Sequence, residues 1–441
     1  MFSARTRSRK AVLAVAALGV ASLGLSACGG SSSSDSEPVG TVDPDEEVTL
    51  TVDSFGGIFA NYEKAGLLDQ YMEENPNVTI EYSEVQQESD YWTALATKIN
   101  SGSGLADIQP FEISRAALVS SQQQDVWTDM LQTPVADQLE EETDSTVGAV
   151  TTEDGAVLGL PTDSGPMAIC YRSDKLEEAG LPSDPEELSQ LITDWDSYES
   201  VGEQYVEATG GDAWMDSVGG YYRVLTSVEP VRNYNEEGEP TWDTNDTVKP
   251  AFDRAAAAAQ KDLTAGLSQF DPAWNTAMNT GEFATIACPA WMLGYIKQQA
   301  GEQNAGNWNV LPLPQELGGN WGGSFLAVPQ DSPNREAAVD LAAWLTSAEA
   351  EAEEFRQGLA YPSNTVAQEQ TTDVVDEYFN GAPIGEIFST SAQAAPNQPL
   401  GVDDGAIDQA IGDALTAVEA NGVAPEDAWQ MAVRTIEDTV G

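Results

Sequence analysis

The alternation of strand-like and helix-like segments is the feature that most limits the folds open to this chain. Residues 48–55 and 75–85 alternate apolar and polar side chains as strands do, and residues 59–72 between them have helical spacing. A second helical segment ends at Gly102, and a further strand is predicted at 106–112. Parallel strands joined by crossover helices produce this order, and such sheets place ligands at the carboxyl ends of their strands. The sequence therefore predicts an α/β fold.

The amino terminus predicts export. In residues 1–27, basic side chains precede an apolar run at 11–25, as in a secretion signal. The Leu-Ser-Ala tripeptide before Cys28 resembles the lipobox of bacterial lipoproteins, which implies that Cys28 is lipidated and becomes the mature N-terminus. An ordinary signal peptide with an incidental cysteine is the alternative. Residues 28–47 are rich in Gly, Ser and acidic residues and predict a flexible tether.

Composition excludes several classes of partner and of catalyst. The chain has 73 Asp and Glu against 18 Lys and Arg, a formal net charge of -55, and no histidine. So few basic residues cannot neutralise nucleic-acid phosphates, and the same charge disfavours anionic membranes and anionic ligands. The lack of histidine excludes Ser-His-Asp and Cys-His catalysis and His-ligated zinc. No phosphate-binding glycine motif or calcium loop occurs either, so we expect no cofactor, no metal and no nucleic-acid partner.

Two cysteines remain if Cys28 carries lipid. Disulfides persist outside the cytoplasm, so Cys170 and Cys288 are expected to form a bridge, with two buried thiols as the alternative. A bridge between positions so far apart in the chain would stabilise the fold by closing a long loop.

Several segments, taken in their order, resemble those of a known family. They are KINSGSGLADIQPFEI (98–113), AICYRSDKLEEAGLP (168–182), GEFATIACPAWMLGYI (281–296), GGNWGGSFLAVP (318–329), AAWLTSAEAEAEEFRQG (342–358) and YFNGAPIGEIFS (378–389). They resemble the extracellular solute-binding lipoproteins of carbohydrate ABC importers, and among these the cellobiose and cello-oligosaccharide binders of actinobacteria. The resemblance implies a two-lobed periplasmic-binding-protein-like fold of type II. Each lobe would be a sheet flanked by helices, and the chain would cross the hinge more than once.

The resemblance also implies where the lobes begin and end. Hinge crossings are expected near 159–164, 284–290 and 324–330, where apolar strand segments meet Gly and Pro. The expected lobes are lobe one, 48–160 plus 288–325, and lobe two, 161–287 plus 326–441.

A sugar-binding cleft needs aromatic rings for the apolar faces of pyranose rings. Such rings tend to lie on loops, and three tryptophans do so here. Trp321 is flanked by glycines, Trp291 lies at a predicted strand-to-helix turn, and Trp274 either contacts ligand or staples a helix. Phe55 at the end of the first strand is either the floor of the site or a core residue. Phe111 and Tyr361 complete the aromatic candidates.

Sugar hydroxyls need groups that accept and donate hydrogen bonds. Glu112 follows a predicted strand and would accept bonds from two hydroxyls, with a solvated loop acid as the alternative. Asp163 either binds ligand or caps a turn, and Arg115 either binds hydroxyls or neutralises Glu112.

The function that the resemblance implies is that of a monomeric receptor. It would be anchored through Cys28 to the extracellular face of the cytoplasmic membrane. It would bind a sugar, expected to be a β-linked oligosaccharide such as cellobiose or cellotriose, by closure of the lobes, and deliver it to an ABC permease. We expect no enzymatic activity. The alternatives are a binding protein for a cationic ligand such as a polyamine, a lipid-anchored glycoside hydrolase with two carboxylates across the scissile bond, and an adhesion module.

Overall fold

The computed structural model describes residues 47–314 and 317–440. The predicted signal peptide, Cys28 and all but the last residue of the tether lie outside the described residues. Within the described ranges, no helix is long and apolar enough to cross a membrane. The strands of these ranges are β1 (Val48–Phe55), β2 (Val78–Val85), β3 (Gln109–Glu112), β4 (Leu160–Pro161), β5 (Met167–Arg172), β6 (Ala213–Met215), β7 (Phe283–Pro289), β8 (Trp308–Pro312) and β9 (Ser324–Ala327).

Helices cover both sides of these strands. The α-helices are α1 (Ile58–Lys64), α2 (Leu67–Glu74), α3 (Glu88–Ser101), α4 (Ile113–Gln122), α5 (Asp144–Ala149), α6 (Ser173–Glu178), α7 (Pro185–Leu191), α8 (Trp195–Thr209), α9 (Val218–Ser227), α10 (Val248–Gln260), α11 (Pro272–Thr280), α12 (Met292–Ala300), α13 (Arg335–Leu345), α14 (Ala348–Arg356), α15 (Thr365–Gln370), α16 (Ile384–Ala394), α17 (Asp404–Asn421) and α18 (Pro425–Val440). Short 3-10 helices occupy Met130–Gln132, Ala136–Glu141, Glu302–Asn304 and Glu377–Phe379.

The first core is built around β1, as the sequence pattern predicts. β1 and β2 pair in parallel from Val48 opposite Val78 to Phe55 opposite Val85. The crossover between them is divided into α1 and α2 by Gly66, whose φ of 76° is a left-handed conformation that glycine adopts without strain. β9 lies between β3 and β4 and is antiparallel to both. The parallel pairing of β1 with β2, with α1 and α2 between them, confirms the predicted βαβ unit.

The second core surrounds a four-stranded sheet with the order β6-β7-β5-β8. All residues of β5 and β7 are buried, which is typical of strands that helices cover on both faces. Cys170 on β5 and Cys288 on β7 form a disulfide, with their Cα atoms 5.4 Å apart. The bridge therefore lies inside the sheet of the second core and links two of its adjacent strands.

Strand pairing and helix packing lead us to propose lobe boundaries that differ from the expected ones. β8, expected in lobe one, pairs with β5, and α13, expected in lobe two, packs its apolar face into the core around β1. The crossing expected at 284–290 is instead the buried strand β7. An apolar strand followed by proline looks the same in sequence whether it ends a lobe or lies within a sheet. We therefore propose lobe one as 47–161 plus 324–345 and lobe two as 166–312 plus 352–440.

A buried carboxyl pair lies where α14 meets the segment after the 3-10 helix Ala136–Glu141. Glu142 forms an isolated antiparallel bridge with Asn364. Oε2 of Glu351 accepts a hydrogen bond from the Asn364 N–H at 2.8 Å, and Oε1 accepts one from the Ser363 hydroxyl at 2.9 Å. Burial raises the pKa of Glu142 to about 8, and burial together with the Glu142 charge raises the pKa of Glu351. The pair therefore holds protons that the unfolded chain releases.

This pair predicts that the protein becomes less stable as the pH rises from about 5 to about 8. A raised carboxyl pKa means that the folded state binds more protons than the unfolded state in that window. Glu142 would contribute a loss on the order of 1 kcal/mol per pH unit. Urea unfolding at pH 5, 6.5 and 8 should show a shallower decline for Glu142→Gln, whereas Glu140→Gln, at an exposed position, should follow the parent. Parallel declines for parent and Glu142→Gln would contradict this assignment.

Candidate functional site

A cleft of about 820 Å³ is lined by residues of both lobes. This volume is within the range of about 300–1,000 Å³ that small-molecule sites occupy. Lobe one contributes the ends of β1 and β3, and lobe two contributes residues of α9, α12 and α17. In the part of the chain that the structure describes, no group of three or more Cys, Asp or Glu side chains is arranged to hold a metal ion.

One side of the cleft is an aromatic wall formed by Phe270, Trp291 and Trp321. The rings of Trp291 and Trp321 meet edge to face with centroids 5.4 Å apart, and those of Phe270 and Trp291 are nearly parallel at 6.3 Å. The indole N–H of Trp291 donates to the carbonyl oxygen of Trp321 at 2.8 Å. Trp291 therefore fixes both of its neighbours, and the three rings offer an apolar surface of the kind on which sugar rings rest.

The backbone of Phe270 has a φ of 66°, a conformation that bulky side chains rarely adopt. Residues held in this way cost about 1–3 kcal/mol and persist where their surroundings fix them. Buried Asp216 accepts hydrogen bonds from Gln269 Nε2 and Trp274 Nε1, both at 2.9 Å. Burial raises the pKa of Asp216 to about 6. Packing against Trp274 at 5.1 Å and Tyr295 at 5.7 Å holds the Phe270 ring at the cleft.

The loop that carries Trp321 is attached to the segment between β4 and β5. The Trp321 N–H donates to the carbonyl oxygen of Gly165 at 2.8 Å, and the Gly165 N–H donates to Asn320 Oδ1 at 2.8 Å. A Cβ atom at position 165 would lie 1.9 Å from the Trp321 carbonyl oxygen, so only glycine permits this approach. Gly165 therefore fixes the position of Trp321 relative to the segment between β4 and β5.

The arginines of the cleft are paired with carboxylates. Nε and Nη2 of Arg115 donate to the two oxygens of Glu88, each at 3.0 Å. Arg223 and Arg232 both approach Asp408, at 2.8 and 3.2 Å. Burial alone would raise the pKa of Asp408, but the two arginine charges lower it to about 2. The guanidinium carbon of Arg223 also lies 5.6 Å from the centroid of the Trp321 ring.

Glu112 and Asp163, two of the predicted site residues, line the cleft, and each already accepts a backbone hydrogen bond within the protein. Oε2 of Glu112 accepts the backbone N–H of Ser114 at 2.8 Å and so caps α4. Oδ1 of Asp163 accepts the backbone N–H of Ser324 at 3.0 Å and the hydroxyl of Thr162 at 2.7 Å. Burial raises the pKa of both carboxyl groups above its ordinary value.

The structure brings six of the nine predicted site residues to the cleft, and their contact with a ligand stays a prediction. These six are Phe55, Glu112, Arg115, Asp163, Trp291 and Trp321. Arg115 is paired with Glu88 rather than with Glu112.

The other three predicted residues are core residues that do not line the cleft. Phe111 is on the buried face of β3 and stacks on Phe325 at 5.3 Å. Trp274 is fully buried behind Phe270. Tyr361 packs edge to face on Phe355 at 5.1 Å. In each case an aromatic residue near a strand end or a turn had no local signal that separates a cleft-facing side chain from a core-facing one.

Sequence reasoning missed several residues that line the cleft, among them Phe270, Arg223, Arg232 and Asp408. Phe270 directly precedes the Asp-Pro pair that begins α11, which was a usable signal for a loop residue. The arginines were also detectable as candidates, because basic residues are scarce in this chain.

Comparison with known proteins identifies the family. The sequence profile described as bacterial extracellular solute-binding protein matches residues 66–380. The chain belongs to the bacterial extracellular solute-binding proteins. The crystal structure of an extracellular solute-binding protein of family 1 is 34% identical, with a TM-score of 0.74, and the match covers 89% of this chain and 100% of that one.

Other members of the family are more distant. A lactose-binding protein of Rhizobium radiobacter is 24% identical, over 59% of this chain and 63% of its own length. An arabinooligosaccharide-binding protein of Halalkalibacterium halodurans is 27% identical, over 57% of this chain and 56% of its own. These matches therefore span less than two thirds of either relative.

The fold is shared more widely than the sequence. An ABC transporter associated binding protein of B. animalis subsp. lactis, solved with beta-1,6-galactobiose, has a TM-score of 0.73 at 19% identity, over 90% of this chain and 97% of that one. The expected two-lobed solute-binding-protein fold is thereby confirmed.

Proposed function

We propose that this solute-binding protein binds an oligosaccharide in the cleft and delivers it to an ABC permease. The observation that carries the proposal is the aromatic wall of Phe270, Trp291 and Trp321 at a cleft that also contains carboxylates and amides. Sugar rings present an apolar face to such rings and hydroxyls to such polar groups. The names of two relatives support the proposal, because one is a lactose-binding protein and the other is an arabinooligosaccharide-binding protein.

The finer assignments extend this proposal. A β-linked oligosaccharide such as cellobiose or cellotriose suits a cleft with three aromatic rings along one side, and the resemblance noted in the sequence favours it. Lipidation of Cys28 would hold a monomeric receptor at the extracellular face of the membrane, where more than one acyl chain gives stable anchoring. Closure of the lobes would add contacts to the bound sugar, and the permease would recognise the closed form.

Intrinsic tryptophan fluorescence of the purified protein tests the proposal. Cellobiose, cellotriose, maltose and xylobiose are titrated in moderate salt, and the same samples are analysed for monosaccharide. We expect a saturable change with at least one β-linked oligosaccharide and no release of monosaccharide on standing. No response to any sugar would refute sugar binding. Accumulation of monosaccharide would show that the protein is a hydrolase and not a receptor.

A further inference from the structure

Three polar side chains, from lobe one, from the segment between β4 and β5 and from lobe two, lie near one another at the cleft. We define this hinge recess as Tyr62 on α1, Asp163 between β4 and β5, and Glu354 on α14. All three line the cleft. Tyr62 is 1% exposed and Glu354 is 4% exposed, so their polar atoms are removed from bulk water.

The recess has hydrogen-bonding capacity that the described residues do not use. The Tyr62 hydroxyl is buried and has no hydrogen-bond partner among them. Asp163 accepts its bonds from Thr162 and Ser324 at one oxygen, Oδ1. A buried polar group without a partner is costly, so such a group in a ligand cleft points to a ligand atom.

The two carboxyl groups of the recess have no counter-ion among the described residues. Burial raises the pKa of Glu354 well above its usual range, and the charge of Asp163 raises it further, with no cation opposing these effects. Burial and the charges of Glu354, Glu351 and Asp163 raise the pKa of Tyr62. The three arginines of the cleft are paired elsewhere, Arg115 with Glu88 and the other two with Asp408.

We propose that the hinge recess binds a protonated primary amine of the ligand, and hence that the sugar taken by this protein is an amino sugar. An ammonium group has three N–H donors and no acceptor, which matches a phenolic oxygen and two carboxyl groups. It would also stabilise the ionised form of the two carboxyl groups, which burial without a counter-ion disfavours. The inference rests on the proposed sugar-binding function, because the aromatic wall would hold the ring that carries the amine.

Three β-1,4-linked disaccharides that differ only at the C2 substituent test the proposal. Cellobiose has a hydroxyl there, N,N'-diacetylchitobiose an acetamide, and the glucosamine disaccharide an ammonium at about pH 6.5. Calorimetric titration of the whole protein is expected to show the glucosamine disaccharide binding at least about 10-fold more tightly than cellobiose, as a charge-assisted contact would give. Binding of cellobiose or the acetamide with equal or higher affinity would overturn the amine site and leave sugar binding intact.

Variants locate the effect in the recess. Glu354→Gln should reduce the ratio of the two affinities to about 2-fold or less. Glu349→Gln, an exposed position of the same helix with the same charge change, should preserve the ratio. If Glu354→Gln does not fold, Tyr62→Phe removes only the unpartnered hydroxyl and should lower the ratio about 3-fold. An unchanged ratio in the folded recess variant would refute the assignment.

Spermidine distinguishes the two sources of an ammonium group. A linear polyamine brings the same charge without a sugar ring. We expect the glucosamine disaccharide to bind more tightly than spermidine, because a pyranose ring covers more of the aromatic wall than a methylene chain does. Binding of spermidine with no sugar binding at all would refute the proposed function, and with it this inference.

Discussion

Replacing both bridge cysteines, Cys170→Ala with Cys288→Ala, is expected to lower the free energy of unfolding by about 3–5 kcal/mol. The bridge closes a loop of 118 residues, and the chain-entropy model gives about 5 kcal/mol for a loop of this length. Both cysteines are fully buried between β5 and β7, so the parent bridge is packed on all sides. Urea unfolding of the parent and the double variant measures the difference.

Sugar affinity provides the control for this experiment. Neither cysteine lines the cleft, so the double variant should bind ligand within about 2-fold of the parent at temperatures where it is folded. Equal unfolding midpoints for the two proteins would show that the bridge contributes nothing to stability.

Trp291→Ala is expected to weaken sugar binding about 100-fold, which corresponds to about 2.7 kcal/mol. The substitution removes a ring of the aromatic wall and the hydrogen bond to the Trp321 carbonyl oxygen, and it releases the Phe270 ring that stacks on it. Trp291→Phe keeps a ring and loses only the N–H donor, so about 10-fold weakening is expected. Calorimetry is the appropriate measurement, because the substitution itself changes the tryptophan fluorescence.

A tryptophan remote from the cleft serves as the matched control. Trp242 packs on Trp429 in the core of lobe two and does not line the cleft. Trp242→Phe should leave the affinity unchanged while it reduces stability. If Trp291→Ala binds sugar within about 3-fold of the parent, the aromatic wall does not carry the binding energy.

Local patterns explain why part of the fold and of the site was predictable. The alternation in 48–55 predicted β1, and glycines around Trp321 predicted a ring on a loop at the cleft. The side of a short strand that faces the core is decided by strands far away in sequence. Phe111 in β3 packs on Phe325 of β9 for this reason, and no pattern within β3 contains that information.

The charged part of the cleft depends on pairing over still longer distances. Asp408 and Arg223 are 185 residues apart in the chain and meet only because α17 lies beside α9. Neither residue has a neighbour that marks it as paired. The sequence pattern of α13 predicted a helix but not its lobe. The lobe is decided by which core its apolar face packs against, and this depends on residues far away in the chain.

The position of β9 limits the order in which the protein can fold. β9 lies between β3 and β4, yet it follows the strands of lobe two in the chain. Lobe one therefore cannot complete its sheet until the chain is present as far as Ala327 of its 441 residues, and contacts over such distances form slowly. Until then β3 and β4 each lack the strand that pairs with them, and unpaired strands are templates for aggregation. Productive folding thus depends on how quickly β9 becomes available to β3 and β4.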